Sequence, residues 1–344
     1  MATARPGTPF SAVEDQPPGN WCRVVGNQSQ EPVVDEVEQH LAVLPDEVGS
    51  MLAIEPGACV VDCTLGLAGH AKMLASAAGP DGMVIGLDVD PDNLAIASQR
   101  MEESGCPHRL VRSNFDQLDE VLKDLGIGGV DAILADLGVS SNQISEPRFG
   151  LSFQVDAPLD MRLDDRLADT AADLVNRLGE TELANLIYEF GQERFSRRIA
   201  KLICRERRSS RIVRTGQLVD LIGRALHVDP NSRRSKIHPA TRTFQALRIA
   251  VNDELGALKR LLDMAPSILI EGGRIAIISF HSLEDGIVKR SFRAHRTDGI
   301  YDILTKKPLV AGSAERRANP RSRSAKLRVA KRTAKVLDVG GDGR

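Results

Sequence analysis

The chain has 344 residues, of which 42% are hydrophobic, and its formal net charge is −2 at neutral pH. This length and apolar content are typical of a globular protein with a full hydrophobic core. No apolar run reaches the roughly 18 residues of a membrane-spanning helix, and the first thirty residues lack the apolar core of a secretory signal, so we expect a soluble cytoplasmic protein without a membrane partner.

The predicted elements alternate between strands and helices. The first 29 residues are rich in Pro, Gly, Ser and Gln and predict a disordered N-terminal extension. Apolar runs bounded by turn signals then predict five strands, near 58–63, 83–88, 108–112, 130–136 and 274–280. Helical periodicity predicts helices at 91–104, 116–124 and 282–295. Alternation of this kind indicates an α/β fold with a mostly parallel sheet covered on both faces.

More than a hundred residues separate the fourth predicted strand from the fifth, which is far more than one crossover needs. Helical patterns fill this interval, for example at 180–208 and 215–226, and a helix at 240–264 returns the chain to the sheet. We therefore predict an inserted all-helical domain for substrate recognition. The predicted divisions are 1–29 for the extension, 30–141 with 238–335 for the sheet domain, 142–237 for the insertion and 336–344 for a flexible tail.

A small-residue turn follows the first predicted strand. The strand ends at Asp62, the turn contains Gly66, a helix begins near His70, and the next strand ends at Asp88. This is the layout of a nucleoside site, in which the backbone approaches the ligand and the second acid accepts hydrogen bonds from ribose hydroxyls. An ordinary strand-turn-helix unit of an α/β domain would give the same pattern and stays open as an alternative.

The glycine spacing distinguishes two kinds of nucleoside ligand. A dinucleotide fingerprint requires G-x-G-x-x-G, whereas the chain offers Gly66, Ala68 and Ala71. An S-adenosylmethionine (SAM) site needs no pyrophosphate cradle, because its ligand has no phosphate. The turn therefore favours SAM, with Asp62 anchoring the turn near the methionine part and Asp88 holding the ribose. A nicotinamide-dependent dehydrogenase is disfavoured.

Two segments of the chain are strongly basic. Between Lys306 and Lys335 there are eleven Lys or Arg residues against one acid, Glu315, and a second cluster runs from Arg194 to Arg214. Such stretches on a near-neutral protein indicate a polyanionic partner. Solvated helix faces and a flexible tail explain the charge equally well.

The five cysteines form no C-x-x-C pair, and we expect neither disulfides nor a metal site. Their positions are Cys22, Cys59, Cys63, Cys106 and Cys204.

Several longer sequence motifs resemble those of one family, the bacterial RsmH (MraW) methyltransferases. The matching words, which together cover about residues 30 to 333, are Pro32–Val37, Asp62–His70, Asp136–Gln143, Ser152-Phe153, Pro158–Arg162, Glu193–Phe195, His238–Ala246, Ser279–Asp285 and Asn319–Arg321. Two departures stand out: Ala68 replaces a usual glycine, and Gln30 replaces a usual histidine. The extra methyl group of Ala68 is expected to crowd the cofactor unless the backbone φ angle there is negative.

The resemblance implies a SAM-dependent methyltransferase fold with a Rossmann-like sheet, acting on the N4 amino group of a cytosine in small-subunit (16S) ribosomal RNA. It implies cofactor contacts at Ala68, Gly69, His70, Asp88, Phe115, Asp136 and Gln143. The implied partner is ribosomal RNA, within an assembled or assembling 30S particle. Which cytosine is modified and the oligomeric state, including a homodimer, stay open. A non-catalytic ribosome-assembly factor of the same fold is the rival interpretation.

Residue chemistry predicts direct in-line transfer to the amine, with no covalent enzyme intermediate. Asp136, after the fourth strand, is the candidate for orienting the amine or the cofactor, and His281 is the candidate for contacting the base or removing a proton. Arg162 and Arg242 are candidates for phosphate contacts, although Arg162 has acids beside it. Carbon-5 methylation would need a nucleophilic cysteine, and Cys106 is predicted to lie away from the cleft.

A base enclosed in such a cleft cannot remain stacked in a duplex, so the sequence predicts a loop or flipped nucleotide as substrate. Only 3% of the residues are aromatic. Phe149, Phe153 and Phe280 are the candidate stacking platforms, and each is also compatible with a core position.

Overall fold

The computed structural model describes residues 41–229 and 238–336. The predicted N-terminal extension, the Pro32–Val37 word, Gln30 and the predicted tail beyond residue 336 lie outside the described residues. Among the helices of the described part, none is long and apolar enough to cross a membrane.

The described residues contain seven strands, two more than the sequence predicts. In chain order they are β1 (Cys59–Asp62), β2 (Met83–Asp88), β3 (His108–Arg112), β4 (Val130–Asp136), β5 (Leu269–Ser279), β6 (Tyr301–Ile303) and β7 (Lys326–Arg332). The first four agree with the predicted strands to within a residue or two, and β5 begins five residues earlier than predicted.

The strands form a single sheet in the order β3-β2-β1-β4-β5-β7-β6. The pairs from β3 to β5 are parallel, and β7 runs antiparallel to both of its neighbours. The predicted α/β class with a mostly parallel sheet is confirmed. The strand order reverses at β1 and β4, and open α/β sheets bind ligands beyond the carboxyl ends of their strands at such a point.

Thirteen α-helices occur in the described part of the chain. They are α1 (Pro45–Leu52), α2 (Gly69–Ala78), α3 (Pro91–Glu102), α4 (Leu118–Asp124), α5 (Ser141–Ser145), α6 (Ala171–Arg177), α7 (Glu180–Gly191), α8 (Ser196–Glu206), α9 (Thr215–Leu226), α10 (Thr241–Asn252), α11 (Glu254–Ile268), α12 (Ser282–Thr297) and α13 (Ser313–Ala318).

Hydrophobic cores lie on both faces of the sheet. Successive strand residues point to opposite faces, so Val60 packs with α1, α2 and α3 whereas Val61 packs with α4, α11 and α12. Ile278 and Ile277 of β5 divide between the faces in the same way. Burial on both faces explains why the parallel strands are near-continuous apolar runs.

A third core belongs to the helices inserted between β4 and β5. It is built from α6 to α10, and it includes Phe244 and Leu247 of α10. Gly191 lies against α10 so closely that a Cβ atom there would meet the Arg242 carbonyl oxygen at 2.4 Å. The helical core therefore continues into α10, beyond the predicted boundary at residue 237.

Two predicted helices are interrupted in the structure. The pattern at 180–208 divides into α7 and α8 because Gln192 has a φ angle of 50°, and the pattern at 240–264 divides into α10 and α11 because Asp253 has a φ angle of 47°. Neither residue is glycine or proline, so the sequence carries no strong breaker at these positions.

Candidate functional site

A cavity opens at the carboxyl ends of β1, β2 and β4, where the strand order reverses. Predicted cofactor residues line it, namely Gly69, His70, Asp88, Phe115, Asp136 and Gln143. Gly66 and Thr64 of the turn after β1 are also in its wall. The structure thus brings together the strand-end residues that the sequence places at one edge of the sheet.

Asp88 holds the turn after β1 in place. Its Oδ2 atom accepts hydrogen bonds from the Gly66 amide at 2.8 Å and from the Asn93 amide group at 3.1 Å, and Oδ1 accepts from the Asp90 amide at 2.9 Å. Burial raises the pKa of Asp88 to about 6, although these hydrogen bonds act in the opposite direction. Since Oδ1 has one protein donor, it can accept a further hydrogen bond from a ligand hydroxyl.

Ala68 adopts the left-handed conformation just before α2, with a φ angle of 62°. The condition that φ be negative is therefore not met, and crowding of the cofactor by the methyl group stays a prediction. Ala68 is fully buried and packs in the core with Leu74, and it is absent from the cavity lining, which continues at Gly69. Its contribution to a cofactor site is the shape of the turn.

Two carboxylates and one imidazole form a group at the floor of the cavity: His70 and Asp136 line it, and the buried Asp62 lies behind them. His70 Nε2 lies 3.7 Å from Asp136 Oδ2, and Asp62 is electrostatically coupled to His70. Burial raises the pKa of Asp62 to about 6. Burial alone would lower the pKa of His70, but Asp136 and Asp62 raise it above its ordinary value.

Several polar atoms of this floor have no hydrogen-bond partner among the described residues. They include both ring nitrogens of His70, Oδ1 of Asp136 and Oδ2 of Asp62. Buried polar atoms are normally paired with protein, water or a ligand. The orphaned atoms are therefore available to water or to a polar ligand.

Gln143 connects the loop after β4 to the loop after β2. Its Oε1 accepts from the Ser140 amide at 3.1 Å, and its Nε2 donates to Asp90 Oδ2 at 3.0 Å. The neighbouring Asn142 donates to Asn93 Oδ1 at 2.8 Å. The amide of Gln143 is thus used to hold the cavity rim, which the sequence does not reveal.

His281 does not line the cavity, whereas Glu284 does. His281 Nδ1 accepts from the Glu284 amide at 3.4 Å, and its Nε2 lies 3.1 Å from Glu284 Oε1. The other carboxylate oxygen accepts from the Phe280 amide at 2.8 Å. Burial raises the pKa of Glu284, but His281, the Phe280 amide and Arg248 lower it below its ordinary value overall. His281 Nδ1 therefore caps the start of α12, and Nε2 lies beside the Glu284 carboxylate without forming a hydrogen bond among the described residues.

Glu254, His281 and Glu284 bring their ligand-type atoms within 4.8 Å of one another, which is close enough to hold a metal ion. Both oxygens of Glu254, however, accept from Arg248, at 2.7 and 2.9 Å. These atoms are already used in ion pairs and helix capping, so we assign no metal here.

Neither of the two predicted phosphate contacts is among the residues that line the cavity. Arg162 is paired with Asp160 through hydrogen bonds of 2.8 and 2.9 Å, so the structure favours the alternative that it is held by a neighbouring acid. Arg242 is half-exposed, donates to the Gln192 carbonyl at 3.3 Å and lies 3.9 Å from Glu193.

Two further residues of the lining, Arg321 and Cys63, have no role that the sequence predicts. Arg321 reaches the loop after β4, where it donates to Ser141 Oγ at 2.7 Å and to the Val139 carbonyl, and burial lowers its pKa. Cys63 also lines the cavity, but burial and the nearby Asp62 hold its pKa well above the ordinary value. A thiol that stays protonated is a weak nucleophile.

The three aromatic residues predicted as stacking platforms are engaged within the protein. Phe149 is buried, and Phe153 stacks on His238 with ring centroids 4.2 Å apart. Phe280 packs against the core that contains Val60. An additional aromatic ring, Phe195, is 36% exposed.

The basic stretch from Lys306 to Lys335 is not a flexible tail over its whole length. Residues Lys326–Arg332 form β7, in which Leu327 and Val329 are fully buried. Arg328 Nε donates to Asp285 Oδ1 at 2.7 Å. Part of this positive charge therefore serves the fold, because buried cations need partners.

A family model described as the MraW methylase family matches residues 37–333. The ribosomal RNA small subunit methyltransferase H of Geobacter sulfurreducens is 49% identical over 308 residues, which cover 85% of this chain and 98% of that protein. The protein of the same name from Acidobacterium capsulatum is 46% identical over 304 residues, covering 86% of this chain and 99% of the relative.

Solved structures similar to this chain include TrmN from Thermus thermophilus, with 14% identity and a TM-score of 0.40, covering 84% of this chain and 48% of TrmN. An rRNA methylase from Streptococcus thermophilus has 13% identity and a TM-score of 0.35, and the match covers 84% of this chain and 93% of the methylase chain. Scores this low carry no weight for the function of the chain.

Proposed function

Because the chain belongs to the MraW methylase family, we propose that it methylates the N4 amino group of a cytosine in small-subunit ribosomal RNA. Its cofactor is SAM, which supplies an electrophilic methyl group when bound. Small-subunit ribosomal RNA is proposed as the substrate because relatives that are 46–49% identical carry the name ribosomal RNA small subunit methyltransferase H. This chain matches 98–99% of the length of those relatives. We place the substrate in an assembled or assembling small subunit and the enzyme in the cytoplasm.

The cavity has the chemistry that SAM requires. Asp88 offers a free acceptor position for a ribose hydroxyl, and Leu87, Phe115 and Leu137 supply apolar wall for a flat ring. The orphaned ring nitrogens of His70 supply polar partners for an amino-acid group. Gly69 and Gln143 complete the cofactor set, and Ala68 acts through the turn.

Asp136 is the residue that we assign to the methyl acceptor. A cytosine amine is a weak nucleophile because its lone pair is delocalised into the ring, so an acceptor for its N–H bonds is needed to turn the lone pair outwards. The Asp136 Oδ1 atom is buried at the cavity, lacks a partner among the described residues and follows β4 at the switch point. Carboxylates accept hydrogen bonds from the cytosine amine. This orphaned oxygen is the observation that carries the proposal.

A covalent enzyme intermediate is not needed for transfer to nitrogen. The cysteine in the cavity wall, Cys63, is held as a thiol by burial, and the positively charged N-methyl product can release its proton to water. Because His281 Nδ1 caps the start of α12 and His281 does not line the cavity, we propose that His281 positions the start of α12 and is not the catalytic base.

The test uses isotopically labelled SAM and small subunits from a strain that lacks the protein. After incubation, mass spectrometry of nuclease digests maps the labelled nucleotide. We expect label on the exocyclic nitrogen of one cytosine. Label on carbon 5, on a ribose or on no nucleotide of the small subunit would overturn the proposal.

Asp136→Asn tests the role of the carboxylate in the same assay. The amide keeps one acceptor oxygen but loses the charge, so we expect kcat to fall roughly 100-fold or more, as for loss of a catalytic hydrogen-bonding group. Asp124→Asn, which removes an exposed acid at the end of α4, is the matched control and should retain the wild-type rate.

A further inference from the structure

An exposed aromatic ring lies near two guanidinium groups where α8 begins. Phe195 is 36% exposed, and the Cζ atoms of Arg194 and Arg198 lie 4.8 and 5.7 Å from its ring centroid. Cation–π contacts of this kind fix an aromatic ring at a surface that would otherwise favour its burial. The ring is therefore held ready for a planar partner.

The outward face of α8 continues this surface as a row of cations. Five of them are exposed and have no ion pair within residues 41–229 and 238–336, namely Arg194, Arg197, Arg198, Lys201 and Arg208. The opposite face of the helix packs Ile199 and Ile203 into the helical core. Most other arginines of this region are neutralised, for example Arg205 by Glu206 at 2.9 Å.

The aromatic end of this row is close to the wall of the cavity. Gln192, three residues before Phe195, accepts a hydrogen bond of 2.8 Å from Ser282 Oγ. Ser282 begins α12, whose Glu284 lines the cavity. The segment that carries Phe195 is thus joined through Gln192 and Ser282 to the helix that supplies Glu284 to the cavity.

We propose that Phe195 and the cations of α8 form the docking surface for single-stranded RNA next to the target nucleotide. Phe195 stacks on an unpaired base, and Arg194, Arg197, Arg198 and Lys201 contact the adjoining phosphates. Proteins that hold single strands combine aromatic platforms with a positively charged track in this way. The assignment rests on the proposed function, because it supplies the RNA that reaches the cavity.

The first test measures binding of a fluorescein-labelled RNA of twelve cytidines by fluorescence anisotropy, beside an RNA of equal length that contains abasic sites. Phe195→Ala is expected to weaken binding of the cytidine RNA roughly tenfold, as for loss of one stacked base, and to leave binding of the abasic RNA unchanged. Phe195→Trp should retain wild-type affinity. Tyr188→Ala is the matched control, since Tyr188 is 60% exposed on α7 and has no guanidinium over its ring among the described residues.

The second test removes charge. The double variant Arg197→Met with Lys201→Met should weaken binding of both RNAs, and the slope of log affinity against log salt should become shallower by about 1.4. Calorimetric titration of each variant with SAM reports whether the cofactor site is intact.

Two results would overturn the inference. One is that Phe195→Ala weakens binding of both RNAs equally; the other is that neither Phe195→Ala nor the double variant weakens RNA binding. If the variants bind whole small subunits more weakly than the wild type but bind the cytidine RNA equally well, the surface contacts an acidic protein partner instead. These binding measurements do not depend on catalysis. If Phe195→Ala weakens RNA binding as expected but the methylation assay fails, the proposed function is refuted and the docking surface is not.

Discussion

At the scale of single residues, Ala68 shows how two opposing costs can cancel. The left-handed conformation costs an alanine roughly 1–2 kcal/mol, and a glycine would relieve this strain. A glycine would also lose a buried methyl group worth about 0.8 kcal/mol and would gain about 0.7 kcal/mol of unfolded-state entropy cost. The residue thus stays compatible with the turn although it lacks the freedom of glycine.

We therefore predict that Ala68→Gly changes the free energy of unfolding by less than about 1 kcal/mol and changes SAM affinity by less than twofold. Ala68→Val should be destabilised by about 3 kcal/mol, since it overfills a closed core and places a β-branched residue at a positive φ angle. Thermal unfolding and calorimetric titration measure the two quantities. Markedly tighter SAM binding by Ala68→Gly would show that the methyl group reaches the cofactor.

At the scale of secondary-structure elements, β7 depends on an ion pair with α12. Arg328 is 7% exposed in the middle of the strand, and Asp285 accepts from it at 2.7 Å and from Lys326 at 3.3 Å. Burial raises the pKa of Asp285, but these two cations lower it below its ordinary value overall. The carboxylate therefore stabilises two cations that the sheet buries wholly or in part.

Asp285→Asn should cost about 2–3 kcal/mol of folding free energy, because it leaves the buried Arg328 without its counter-charge. Asp302→Asn, an exposed acid on β6, is the control and should change stability by less than about 0.5 kcal/mol. Thermal or urea unfolding monitored by circular dichroism gives the comparison. Equal stability of the two variants would mean that Arg328 finds solvent or another partner.

The elements differ in how far the sequence determines them. The strands β1, β2 and β4 are apolar runs buried on both faces, and such runs can be identified without tertiary information. In β7, by contrast, lysine and arginine alternate with Leu327 and Val329, so the strand resembles a charged tail until its partners are known. The break between α7 and α8 at Gln192 likewise depends on tertiary packing and not on a breaker residue.

At the scale of the whole molecule, the position of the site follows from topology. Asp88 and Asp136 end parallel strands, and parallel strands end at one edge, so the sequence suffices to bring these acids together. The pairing of Arg162 with Asp160 and of His281 with Glu284 is a choice among several polar neighbours, which only the packed structure makes. The exposed ring of Phe195 has no periodic signal either, because it lies between two helices.

The buried carboxyl of Asp88 should also impose a pH dependence on the stability of the whole chain without SAM. Its pKa is about 6 in the folded state and about 3.9 in an unfolded chain, so the folded protein binds the extra proton between these values. The contribution of Asp88 to stability is therefore fully present below pH 4 and is lost as the pH rises to about 6. The loss amounts to about 3 kcal/mol.

Asp88→Asn removes this titration, although it also costs a hydrogen bond at every pH. We predict that the stability of the wild type minus that of Asp88→Asn falls by about 2 kcal/mol between pH 4.5 and pH 7. Urea unfolding of both proteins across this range measures the difference. A difference that is constant or increases with pH would mean that the carboxylate, held by the amides of Gly66 and Asp90, ionises at or below its ordinary pKa in the folded protein.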